Sequence, residues 1–343
     1  MTDPITEAVA AGDLDRLVRL VDGLCSAREW DQVVRLRDHC RAALERGLQL
    51  WPAAEFAEYR LALEAPASYA GPLVVEGAGR FALGPLWEVA ASTHRWADLA
   101  GHVPPGPARA MAAHERVMRG EDLTGDGSFD HGVLDLPAVL QPWEPAYRVA
   151  VFRADTADFP APGEPRFARV TAPAGAEPVD DEESAEALAD LAAVWVQQSN
   201  GSCRVAAVAG TAEEAIGALA PGEVPAAEVD GAEAMAWMAW AAASGGAYGR
   251  RRGTPAGRFA AWWAVTALSG LEWPPDPGEA AAVVTNLRWL VWEPPGFVEG
   301  WRLHLAAEHP GEGLAWAVAA EDHLREAEAG DEAGPPRAGP AQS

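Results

Sequence analysis

The chain has 343 residues, 51 acidic and 26 basic side chains and a formal charge of −25, and all the basic residues in that count are arginine. So negative a balance excludes a generic binder of nucleic acid or anionic membrane, because phosphate contacts need clustered cations. The absence of lysine excludes Schiff-base chemistry and a phosphate-loop lysine. Hydrophobic residues make up 49%, enough for a sizeable core, and the length suits two domains or one large one with an extension.

Met1–Ala11 is polar and acidic, with neither the basic nor the apolar region of a signal peptide. No stretch approaches the roughly 18 apolar residues of a membrane span. The three cysteines, Cys25, Cys40 and Cys203, are odd in number and widely spaced, which suits buried free thiols in a reducing compartment. A cytoplasmic protein without a membrane anchor is expected. The Ala, Gly, Pro and Arg content suits a GC-rich bacterial genome.

Residues 1–65 read as a helical region. Asp13 caps a helix with Leu14, Leu17, Val18, Val21 and Leu24 on one face. Asp31 lies near the start of a second, which carries Val33, Leu36, Cys40 and Leu44, and Pro52 near the start of a third that runs to about Ala65. The layout is that of helical hairpins, without a fixed repeat. Residues 66–145 are irregular, with short helices over Leu83–Ala91, Trp96–Ala100 and Pro107–Arg119, then a loop over Leu123–Gly132. Pro137, Pro142 and Pro145 keep the following chain extended.

From Tyr147 the period changes to two. Tyr147–Arg153, Arg166–Thr171 and Arg204–Ala209 read as strands. An acidic run, Glu177–Glu186, opens a helix to about Gln197, Ser199-Asn200-Gly201 makes a turn, and Thr211 caps another helix. Asp230 precedes a long tryptophan-bearing helix, and a second such helix starts at Pro255. Asn286–Trp292 and Trp301–Ala306 pair as strands, with one helix over Ala280–Leu290 as the alternative for the first. Gly313–Arg325 reads as a final helix. Residues 327–343 lack bulky apolar groups and are expected to be disordered. The expected fold is α+β and α-rich: a helical N-terminal region, then an α+β domain over 146–326 with a small mixed sheet of about five strands covered by helices.

Four features bear on chemistry. Asp122–Asp130 matches the front of a calcium-binding helix–loop–helix, but Val133 stands where the bidentate Glu belongs, so an Asp-Gly turn is favoured over a metal site. The eight histidines form no metal-binding spacing. Ser199–Cys203 has no nucleophile-elbow pattern and no histidine nearby in sequence. No catalytic residue, metal or cofactor is assigned. The remaining feature is the arginine loop of residues 244–258. Within residues 244–253, four glycines accompany Tyr248, Arg250, Arg251 and Arg252, and Arg258 follows early in the next helix. Glycine permits close backbone approach, and guanidinium forks bind phosphate or carboxylate. These five residues, with Asn200, form the expected ligand site. The bland reading is a helix connector whose arginines pair with the protein's own carboxylates.

The wording AMAWMAWAAASGGAYGRRRGTPAGRFAAWWAVTALSGL, LRWLVWEP, GWRLHLAAEHPGEGLAWAVAA, FALGPLWEVAASTHRWADLA and LQPWEPAYRVAVFRADTADFPAP resembles a family of uncharacterised proteins from GC-rich bacterial genomes, over about residues 70–325. The resemblance implies no activity, ligand or catalytic residue. The expected role is a non-catalytic interaction or scaffold protein, with a protein partner on the N-terminal helices. The alternative is an enzyme or sensor taking a small anionic ligand, a nucleotide or carboxylate, at the arginine loop.

Overall fold

A computed structural model describes residues 3–79, 82–296 and 299–324, so the tail expected to be disordered lies outside the described residues. The chain divides into two compact units. Among the described residues, the first holds the chain up to Leu134 together with Val149–Phe159, and the second holds Asp135–Arg148 and residues 160–324.

The first unit begins with four helices: α1 (Pro4–Ala11), α2 (Leu14–Ser26), α3 (Trp30–Ala43) and α4 (Trp51–Glu64). Asp3 and Asp13 cap the first two by accepting hydrogen bonds from Thr6 N–H and Arg16 N–H at 3.1 and 2.9 Å. Leu17, Val21 and Cys25 are buried, as their helical spacing requires. Helix α4 packs against both α2 and α3 and is buried from Ala57 to Leu63. Its buried charges are paired: Arg41 with Glu58, and Arg60 with Asp22 and Glu64. Then come α5 (Ala67–Ala70), α6 (Leu86–Thr93), α7 (Trp96–Leu99) and α8 (Pro107–Met118). The Asp122–Asp130 loop spends its carboxylates on itself, with Asp122, Asp126 and Asp130 each accepting from the backbone N–H two residues on. The strand expected over Tyr147–Arg153 shrinks to β1 (Val151–Phe152), paired with β2 (Ala157–Asp158). Its first residues belong to the second unit, where the Tyr147 hydroxyl donates to Glu144 at 2.8 Å.

The second unit is built on an antiparallel sheet. Its strands are β3 (Ala168–Ala172), β4 (Glu177–Pro178), β5 (Ser202–Ala209), β6 (Gly222–Val229), β7 (Arg288–Trp292), β8 (Trp301–His309) and β9 (Leu314–Asp322). They lie in the order β3-β6-β7-β8-β9-β5-β4. The fold is therefore α+β as expected, but among the described residues the sheet has seven strands rather than about five, and every pairing in it is antiparallel rather than mixed. Two strands account for most of the difference. Residues 222–229 contain Pro225, which argues against an inner strand. Its carbonyl accepts from Glu293 N–H at the end of the β6–β7 ladder, so the missing N–H falls where that pairing stops.

The second is Gly313–Arg325, read from the sequence as a helix, which is β9 instead. Leu314–Asp322 pairs with β8 on one side and β5 on the other, and both its faces are covered. A strand buried on both faces reads as a continuous apolar run, and its alanines then mimic a helix.

The helices are α9 (Glu182–Asp190), α10 (Ala193–Gln198), α11 (Ala212–Leu219), α12 (Gly231–Ala243), α13 (Thr254–Ser269) and α14 (Pro277–Asn286). The expected single helix to Gln197 is thus two helices, and the Ala280–Leu290 ambiguity resolves into α14 followed by β7. Thr211 and Glu214 form a complete capping box on α11. Helix α11 covers one sheet face, where Ala315, Ala317 and Ala319 join Ile216, Leu290 and Trp292 in a core. Helices α9, α10 and α12 also pack on strands of this sheet, and α13 packs on α9 and α12. The α12–α13 approach is close enough that a Cβ at Gly257 would lie 2.0 Å from the Ala239 carbonyl oxygen, which demands glycine there.

Candidate functional site

Residues 244–253 join α12 to α13, and the fold fixes this connector from below. Ala247 N–H donates to Asp322 Oδ2 at 2.7 Å, Tyr248 N–H to Ser199 Oγ at 3.1 Å, and Arg250 N–H to Gln198 Oε1 at 3.3 Å. At its far end Arg252 N–H and Gly253 N–H both donate to the Ala243 carbonyl. The neighbouring turn is tied to the same corner, since Asn200 Nδ2 donates to the His323 carbonyl at 3.1 Å. The ends of α10 and β9 therefore form a platform under the loop.

On that platform the expected site residues separate into two groups. Tyr248 is 41% exposed, Arg250 and Arg252 are exposed, and Arg251 is half-buried with Nη2 donating to Thr254 Oγ1 at 3.1 Å. Among the described residues, no carboxylate forms an ion pair with Arg250 or Arg252. Asn200 follows Ser199, which accepts from Tyr248 N–H, but its own side-chain amide donates to the His323 carbonyl. The α13 terminus that follows has Gly253 as N-cap, with no side chain capping it and no acidic residue in its first turn. Its dipole adds positive potential where the arginines stand.

Arg258 belongs elsewhere. It is fully buried and forms a bidentate pair with Glu144, Nε to Oε2 at 2.8 Å and Nη2 to Oε1 at 2.7 Å. Its remaining donors reach the Pro137 and Val139 carbonyls. Glu144 also accepts from Trp262 Nε1, the Tyr147 hydroxyl and Gln141 N–H, at 3.0, 2.8 and 3.0 Å. Burial pushes the Glu144 carboxyl up, but the Arg258 guanidinium and the other donors outweigh it and hold it below its ordinary value. Burial and the adjacent Glu144 charge raise the Tyr147 phenol well above its usual range. This node ties the 135–148 segment to α13; its guanidinium is consumed inside the protein.

Sequence reasoning missed Gln198, Trp195 and Asp322. The helix assigned to residues 313–325 hid Asp322, which period-two spacing along β9 would have placed on the same face as Trp316. The cysteines are free, and burial raises the Cys25, Cys40 and Cys203 thiols to about 11, so they are poor nucleophiles at neutral pH. No group of three or more histidine, cysteine or acidic side chains suited to a metal occurs among the described residues. None of the helices of the described residues is long and apolar enough to cross a membrane.

A seven-stranded antiparallel sheet with helices packed on it defines an α+β protein. The chain belongs to the DUF6183 family, a family of unknown function, whose match spans residues 2–323. A search of curated proteins and a search of solved structures each returned no match.

Proposed function

We propose that the protein is a non-catalytic binding protein that captures a small anionic ligand, a nucleotide or a carboxylate, on the arginine loop. The observation that carries this reading is the contrast within one loop: its backbone is pinned at Ala247, Tyr248 and Arg250, while the Arg250 and Arg252 side chains stand in solvent. A pinned loop presents guanidinium forks at little ordering cost, and forks of this kind recognise carboxylate and phosphate. The chain's net negative charge repels anions at long range, so attraction comes only from the loop's local positive charge, which suits a small ligand over a polyanion. The test is a thermal-shift screen of nucleotides and organic acids on the wild type and on the Arg250→Ala/Arg252→Ala double variant. A ligand at a hundredfold excess over its Kd stabilises by about 2.7 kcal/mol. Stabilisation of the wild type alone supports the reading, and equal behaviour of both proteins defeats it.

A second reading places a protein partner on the N-terminal helices. It is favoured by Leu44 and Trp51, 54% and 39% exposed, which flank the α3–α4 connection. A stoichiometric partner that co-purifies with the wild type and is lost in Leu44→Asp would support it.

A further inference from the structure

Beneath the arginine loop lies a second set of groups that the loop's own chemistry leaves unused. Asp322 is 1% exposed, and only its Oδ2 is engaged, by Ala247 N–H at 2.7 Å. Its Oδ1 is buried with no hydrogen-bond partner among the described residues, and no cation there forms an ion pair with it. An uncompensated carboxylate in a low-dielectric interior is costly unless a donor or cation arrives. The indole N–H of Trp195 is likewise buried and unpartnered. The two side chains meet beside Gly246, where a Cβ would lie 2.1 Å from Asp322 Oδ2 and 3.0 Å from Trp195 Cδ1. Gly246 has φ +65°, in the left-handed region, so both its conformation and this space require glycine. Trp195 continues into a row of indoles, edge-to-face with Trp240 at 6.0 Å, which is in turn edge-to-face with Trp237 at 6.0 Å.

An orphan carboxylate oxygen beside indole rings is the chemistry that receives an ammonium group, through an ion pair and cation–π attraction. The protein cannot supply that group from a side chain, because it has no lysine. The orphan indole N–H adds a donor for the acid of the same ligand. Building on the anion-binding reading above, we infer that the ligand is a zwitterionic small molecule of the amino-acid kind. Its ammonium group sits between Asp322 and Trp195, and its acid group faces Trp195 Nε1–H and the arginine loop. Admission requires only that the 245–247 end of the connector release Ala247 N–H from Asp322 Oδ2, while Tyr248 N–H and Arg250 N–H stay held by Ser199 Oγ and Gln198 Oε1.

The experiment is calorimetric titration of the full chain with three probe sets: standard α-amino acids, the same acids lacking the amino group, and the corresponding amines lacking the acid. The expected result is that at least one amino acid binds about tenfold or more tighter than its deaminated acid, a gap worth about 1.4 kcal/mol. The near-isosteric Asp322→Asn should close that gap while keeping acid binding. Trp195→Phe, which keeps the ring but removes the N–H, should weaken the amino acid in a protein whose circular dichroism is unchanged. This second variant keeps the proposal testable if Asp322→Asn fails to fold. If the deaminated acids bind as tightly as the amino acids, the ammonium site is overturned and the anion-binding reading stands. If no probe of any set binds, the amino-acid ligand is overturned and Asp322 Oδ1 is served by an ordered water alone, while the anion-binding reading is decided separately by the nucleotide arm of the thermal-shift screen.

Discussion

Arg252 and Arg258 are six positions apart in the chain, yet they live under opposite physics. Arg258 is enclosed, its guanidinium divided between Glu144 and two backbone carbonyls. Arg252 and its neighbour Arg250 are in solvent, with only their backbone N–H groups held. The difference teaches that arginine identity and spacing do not mark a binding site. What matters is whether the protein itself supplies the anion. For Arg258 it does, from a carboxylate 114 residues away in sequence. For the loop, the protein supplies a platform instead.

Breaking the buried half should produce the largest effect. Arg258→Ala strands Glu144 as an unpaired interior charge and is expected to cost about 3–5 kcal/mol in denaturant titration. The double replacement Arg258→Met/Glu144→Leu should cost clearly less than the single one, because no charge is left unpaired; equal losses would show that packing, not charge, dominates the node. Next in size, Trp262→Phe removes one donor to Glu144 and should cost about 1–3 kcal/mol. The pH dependence has a definite sign. The Glu144 carboxyl is held below its ordinary 4.5, so its contribution is fully present above that value and is lost as pH falls through the lowered one. Acid unfolding of the wild type should therefore be steeper below about pH 4.5 than that of the Arg258→Met/Glu144→Leu variant, and superimposable acid limbs would contradict the assignment. The smallest effect belongs to the loop: Arg250→Ala and Arg252→Ala should each change stability by no more than about 0.5 kcal/mol, since their side chains hold nothing up. A loss of several kcal/mol there would erase the contrast between the two regions.

The N-terminal helices were legible because each carries its own local signal, such as the Asp13 cap and the Leu17–Val21–Cys25 stripe. The arginine loop was legible as a loop, from its glycines. What held it in place was not, because Gln198, Ser199 and Asp322 come from distant chain segments and carry no local mark. Glu144 gave no signal for the same reason: its residue type sits in an ordinary Pro-rich stretch, and only the fold brings Arg258 to it. Strand β9 was misread for a different cause. With both faces covered, its apolar positions do not alternate, and alanine's helical preference then fills the silence. Pro225 concealed β6 because proline argues against an inner strand; it is tolerated opposite Arg169 within the β3–β6 ladder because its nitrogen faces the end of the β6–β7 pairing.

Strand β9 is the last strand of the described chain, yet it is an inner strand, lying between β8 and β5. On the ribosome this sets an order of events. Helices α1–α4 can begin to pack as soon as they emerge, since α1, α2 and α3 pack on one another and α4 on α2 and α3, with α5 and α6 following onto α4. The sheet cannot: until residues 314–322 are out, β5 with β4 and the β3-β6-β7-β8 group are two separate pieces with open edges facing each other. Exposed edges of this kind invite pairing with other chains. The nascent protein therefore passes through a window in which its second unit is aggregation-prone and its first is already formed. The same nine-residue insertion that closes the sheet delivers Asp322 to the arginine loop, so the Ala247 anchor forms only once β9 is in place.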